Sequence, residues 1–361
     1  MKQITTLAAV ATLALIQPAI ASDDGDRGSI LSQLGSAKMT AVSTVPANGD
    51  QNPYGVAFVP DGFPGGTLHT NDILVSNFND KSNVQGTGST IVRIDNRNAT
   101  SVFFQGTDGM GLTTALGVLR RGFVLVGSLP NNNGNLGAGA LTVLDRNGKV
   151  VTTLTSATML DGPWDLAVND LGFLAQVFVS NVLSGTVTRI DLVLGVGDGD
   201  NSSSSQFMVR GMTQIASGYA HRPDPNALVV GPTGLAFDLF RNVLYVASTG
   251  DNQIFAIDNA AIRTTDAGVG RVVYKDDAHL HGPLGLTIAG NGDLITANGD
   301  AVNDTGATPN LLTEFTPSGQ FVAQFQIDNG APGAAFGLAF SRNRLAAVDD
   351  GTNQLLIWTL R

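Results

Sequence analysis

Asp165 and three of the four histidines are the side chains in this sequence with the most to offer a reaction or a metal. In His279-Leu280-His281, an extended backbone would point both imidazoles the same way. Asp276 and Asp277 lie just before them, and His221 stands further upstream. Two imidazoles and a carboxylate suit Zn²⁺ or a similar divalent ion; the plainer reading is solvated loop histidines, because the tight spacing of a zinc motif is missing. Asp165 follows Trp164. A carboxylate beside a large amphipathic ring could orient a ligand or act as a base, or it could accept backbone N–H groups as Asp does in turns. Other familiar chemistry is missing. The chain has no cysteine, hence no thiol nucleophile, thiolate metal site or disulfide. Residues 196–205 (VGDGDNSSSS) resemble a calcium loop without its glycine position or terminal Glu. Gln85–Thr90 is glycine-rich, but no Lys follows it as in a phosphate loop.

Such residues need a scaffold, and composition says which kind. Of 361 residues 43% are hydrophobic, enough for a large core, and only 14% are charged. The formal net charge of −10 argues against nucleic acid or an anionic membrane as partner. Glu314 is the only glutamate against 29 aspartates, and lysines number five. Asp favours turns where Glu favours helices, so the balance points to an all-β protein.

Residues 1–21 have the form of a secretory signal: Lys2, an apolar run over Ile4–Ile16, then Ala19-Ile20-Ala21. That run is too short to span a membrane, so the expectation is a secreted or periplasmic protein cleaved after Ala21, without membrane insertion. Residues 22–37 read as a flexible leader.

The rest repeats. A small residue followed by an apolar run recurs at Gly55, Gly117, Asp165, Gly234, Gly285 and Gly337, at spacings of 62, 48, 69, 51 and 52. A buried second strand and then a third strand follow each copy, for example Leu244–Ser248 and Ile254–Asp258. Fourth strands are less regular. The pattern predicts one domain over 38–361, a six-bladed β-propeller of four-stranded blades. Blade six runs out of chain after its third strand, so Lys38–Val45 is expected to supply the fourth and close the ring. One chain then completes the fold, and a monomer is expected.

Blade four, Gly231–Asp258, resembles an NHL repeat, as does Phe336–Trp358; the other blades resemble it more loosely. The resemblance extends from Asn52 to Trp358, is specific for the fold and is unspecific for activity. NHL repeats usually end the second strand in Asp. Here Asp349 matches, Asn77, Asn181 and Asn298 are near substitutes, and Gly127 and Ser248 depart. More distantly the chain is similar to the SMP-30/gluconolactonase and strictosidine-synthase-like propellers. The first of these resemblances implies a divalent metal held by acidic or amide side chains, several directly before the small residue of the first strand. Those positions here are Tyr54, Leu116, Trp164, Thr233, Leu284 and Phe336, none of them a carboxylate or amide. The second implies a catalytic Glu, and Glu314 lies in a third strand, away from the channel mouth.

Tyr54, Trp164 and Phe336, with Leu116 and Leu284, instead suggest an apolar ring at that mouth. It would be either a small-molecule pocket with Asp165 as its polar anchor or packing between blades. Propeller geometry also brings His221, His279 and His281 to one rim. The leading expectation is a binding scaffold of unknown ligand, a small molecule or a protein, with no cofactor beyond a possible divalent ion at those histidines. The alternatives are a hydrolase or lyase acting at the mouth, and a structural envelope or matrix protein.

Overall fold

Six four-stranded antiparallel sheets stand around one axis in the computed structural model, which describes residues 28–195, 206–304 and 308–361. The expected signal segment and the 196–205 loop lie outside the described residues. Each sheet is one blade. Its inner strand lines the axis: Gln51–Phe58, Leu112–Leu119, Pro163–Asp170, Pro232–Asp238, Pro283–Ile288 and Ala335–Ser341 in blades one to six. Each inner strand touches the inner strands of both neighbouring blades, so the ring is closed. No helix among the described residues is long and apolar enough to cross a membrane.

In four blades the glycine of the first strand is required by its neighbour's backbone. A Cβ on Gly337 would lie 1.8 Å from the Tyr54 carbonyl oxygen, and one on Gly234 2.2 Å from that of Leu284. The same contact recurs between Gly285 and Phe336 and between Gly55 and Thr114. The steric limit is therefore the next blade's carbonyl, not a crowd of side chains at the axis.

The structure moves the blade-two repeat by two residues. Leu112 pairs with Ser128 and Leu116 with Val126, so four inner-strand residues span two of the second strand. In blade one three residues do so, from Pro53 to Val56. The wider bulge places Ala115, not Gly117, at the position of Gly55, and Thr114, not Leu116, before it. The second strand likewise ends at Ser128, one residue beyond Gly127.

Strand Lys38–Ser43 pairs antiparallel with Gln354–Thr359 and completes blade six. Ahead of it, the described part of the expected flexible leader is a bound element. Helix Ile30–Leu34 buries Ile30, Leu31 and Leu34 against Trp358, Leu345 and Leu360. Glu314 fixes its start. This fully buried carboxylate accepts hydrogen bonds from Ser29 Oγ (2.6 Å), Leu31 N (2.8 Å), Ile30 N (2.9 Å) and Asn291 Nδ2 (2.9 Å).

Candidate functional site

The axis has two different ends. On the face where chains enter the first strands it is closed. Tyr54, Trp164 and Phe336 are all buried there, with Tyr54 stacked on Phe336 (4.3 Å between centroids) and on Phe78 (4.5 Å). Trp164 meets Tyr54 and Phe78 edge-on at 5.9 and 5.6 Å. Leu129, Val182 and Val229 complete the plug, and Leu136 and Leu228, from the short ribbons Asn131–Leu136 and Arg222–Val230, pack on it. The expected aromatic ring exists, but as packing under these ribbons. Stacked and edge-on rings bury large area and add about 1 kcal/mol per pair. Leu284 belongs to the same cluster.

From the opposite face the axis is a blind channel of about 320 Å³. Val56, Leu116, Leu166, Leu235, Leu286 and Leu338, one from each blade, form its wall, and Phe58 and Phe340 belong to its lining. Asp165 is the one ionisable residue lining it. Leu116, expected beside the aromatics, lies in this wall because it follows Ala115 as Val56 follows Gly55.

Asp165 occupies the junction where the other blades place a small residue. Its Oδ2 accepts the Leu235 N–H of blade four at 2.9 Å, and its own N–H donates to Ser180 Oγ at 3.0 Å. Ser180 in turn donates to the Thr233 carbonyl, so blades three and four are tied twice. Burial pushes the carboxyl up to about 8, outweighing the backbone N–H groups of Leu235 and Leu166, which favour its ionised form. Asp165 is thus a cap on backbone donors and, at neutral pH, a protonated carboxyl in an apolar channel.

The histidines are not brought together. The chain at His279 is not extended: the Asp276 carbonyl accepts the N–H groups of His279 and Leu280, making a turn. The His279 ring stacks on Phe321 (3.8 Å) with Nδ1 2.5 Å from Asp276 Oδ2. His281 is buried with Nδ1 against the Asn303 carbonyl, and His221 Nδ1 lies 2.9 Å from the Tyr219 carbonyl. No group of three or more His or acidic side chains among the described residues is placed to hold an ion. The position before the small residue does not fit a hard cation either. Its two threonine hydroxyls are occupied, Thr114 donating to the Trp164 carbonyl and Thr233 to that of Pro283; Tyr54 is a buried phenol, and Trp164, Leu284 and Phe336 offer no oxygen side chain.

Two features escaped the sequence. Asn181 and Asn298, read as near substitutes for Asp, staple the loops that enter their blades. Asn298 accepts the His281 N–H at 3.1 Å and donates to the His279 carbonyl at 2.8 Å; Asn181 does the same with Asp161 N and the Met159 carbonyl. An amide carries both donor and acceptor, so the Asn itself was the signal. Asp350, in the loop after the second strand of blade six, was also missed. Its carboxyl makes no hydrogen bond among the described residues, and burial, then the charge of Asp349, raises it to about 7.

No family model and no curated protein matches the sequence. Solved structures align over nearly all of it. A gluconolactonase from Xanthomonas campestris is 16% identical, with a TM-score of 0.57 over 91% of each chain. A virginiamycin B lyase from Staphylococcus aureus is 14% identical (TM-score 0.51; 90% of this chain, 99% of that one). The calcium-binding protein regucalcin from Agrobacterium tumefaciens is 11% identical (TM-score 0.54; 89% and 95%). At these identities the likeness is one of architecture: the chain has the six-bladed propeller fold of the gluconolactonase and regucalcin type.

Proposed function

We propose that this protein is an exported, NHL-like propeller that binds a small apolar molecule in the blind axial channel. The observation that carries this reading is the single ionisable group, Asp165, in a channel whose other lining residues are mostly aliphatic or aromatic, with Thr287 and Ser341 as its hydroxyl side chains. Apolar concavities with few polar groups are the usual form of small-molecule sites, and the volume is at the small end of their range. With its carboxyl raised to about 8, Asp165 is protonated at neutral pH and can donate one hydrogen bond. The ligand is therefore an uncharged apolar body with one acceptor oxygen at its inner end.

Prodan, a neutral naphthalene carrying one ketone, is a suitable probe. It is expected to bind saturably at pH 6.5, with blue-shifted emission. As pH rises through 8 the carboxyl ionises and its donor disappears, so affinity at pH 9 should be about tenfold lower. Asp165→Asn keeps an N–H donor and should bind with no such pH dependence; Asp165→Leu should bind weakly at every pH. Binding unchanged from pH 6.5 to 9 in the unmodified protein would sink the role given to Asp165.

A second reading, a hydrolase or lyase, is favoured by Asp350. A carboxyl raised to about 7 and free of hydrogen bonds is suited to take a proton near neutral pH. It stands close enough to Tyr54 for its charge to help hold that hydroxyl protonated, second to burial. Given the gluconolactonase-like architecture, glucono-δ-lactone is the first substrate to try. Turnover should rise through pH 7 as Asp350 ionises and vanish in Asp350→Asn. No turnover above the spontaneous rate would remove this reading.

A further inference from the structure

We propose a second ligand site, for an amine-bearing sugar, in a polar cleft between blades one and two on the face opposite the channel opening. The cleft has a volume of about 540 Å³ and is built from the loops that enter these blades and join their second to third strands. Unlike the channel, it has no aliphatic or aromatic side chain in its lining. Its side chains are amides, carboxylates, hydroxyls and one ammonium, so a ligand there is selected by hydrogen bonds and charge.

Asp50 is its fixed point. It is 5% exposed, and its Oδ2 accepts Ser89 N (2.9 Å), Ser89 Oγ (3.2 Å) and Thr90 Oγ1 (2.7 Å). Those three bonds hold the carboxylate through Oδ2, while Oδ1 has no hydrogen-bond partner among the described residues and remains able to accept from the cleft. Asp108 lines the same cleft, is exposed, and its side chain has no hydrogen bond or ion pair among the described residues. The ribbon Asn131–Leu136 adds the side-chain amides of Asn132 and Asn133, which make no hydrogen bond among the described residues. Asp80, Asp50 and Asp108 set three negative charges against the one of Lys81.

A ligand that satisfies this wall must present hydroxyls to amides and carboxylates, and a positive charge to the surplus of carboxylates. A neutral sugar meets the first demand, a polyamine only the second. An amino sugar meets both, and the volume accommodates two rings. This site does not depend on the channel reading, and it can be present with the channel empty.

The test is calorimetric titration of the full protein with three probes at low ionic strength. The glucosamine disaccharide is expected to bind, with its N,N′-diacetylated form at least tenfold weaker. Asp108→Asn should weaken the disaccharide about fivefold without moving the melting temperature, because Asp108 holds nothing else in place. Asp50→Asn should weaken it further, but its bonds to Ser89 and Thr90 make Asp108 the cleaner variant. Equal binding of both disaccharides, or an unaffected Asp108→Asn, overturns the charge argument and with it the proposal. Spermidine binding as tightly as the amino sugar would overturn the need for hydroxyls. No heat of binding at 10 mM disaccharide would overturn the site altogether.

Discussion

Glu314→Ala is expected to cost the protein about 4 kcal/mol. The carboxylate accepts four hydrogen bonds, three of them from the first residues of the N-terminal helix, and is wholly buried. A hydrogen bond to a charged group contributes about 1.5–3 kcal/mol, and such contributions do not add fully within one cluster. Removal also leaves the Ile30 and Leu31 N–H groups and the Asn291 amide facing a void. The melting temperature should fall by about 8 °C, and limited proteolysis should release the segment ahead of Lys38 before the propeller is cut. Glu314→Gln, which keeps the volume and one acceptor, should fall between the two. An alanine variant melting within a degree or two of the parent would show that the helix is a passive cover.

The second large effect is expected from removing the closing strand. A chain beginning at Gly28 should melt like the full one. A chain beginning at Pro46 lacks Lys38–Ser43 and leaves Gln354–Thr359 with a bare edge of unpaired N–H and C=O groups. It also loses the Asn353 carbonyl's bonds from Thr44 N and Oγ1, and the Thr44 carbonyl's bond from Asn77. We expect aggregation on expression, or a soluble fraction without a cooperative transition. Reversible melting close to that of the full chain would mean that three strands suffice for blade six.

How far the sequence could be read depended on the range of each interaction. Blade number and the closing strand were legible because each blade must bury an inner strand against its neighbours, and that imposes the small-residue repeat. The blade-two register was not legible. Gly117 offers the expected glycine two residues beyond the true position, and only cross-strand pairing assigns that position to Ala115. Two of the candidate rings failed for a local reason: the turn at Asp276 cancels the alternation assumed for His279 and His281. Asp165 was legible as the departure from the repeat, but its direction along the axis was not. The plug of Tyr54, Trp164 and Phe336 closes the end where a mouth was expected, under two short ribbons whose Asn-Gly and Pro-rich stretches carry little strand signal. Glu314 stood out as the lone glutamate among 29 aspartates, but its role as the anchor of the N-terminal helix depends on contacts some 285 residues away in sequence.

The seam in blade six also sets an order of events. Its register joins Lys38 to Thr359 and Ser43 to Gln354, partners more than 300 residues apart, whereas the other blades pair strands that follow one another. Each doubling of the loop to be closed costs about 0.6 kcal/mol of chain entropy, and distant pairings form slowly. Five blades can therefore assemble while the first residues wait, and the sixth is the last to form and the first to open. During that interval the unpaired edge of one molecule is complementary to the leading segment of another. An exchange of those segments would satisfy every bond of the seam, so crowded refolding is where paired molecules, swapped at their first strands, should appear.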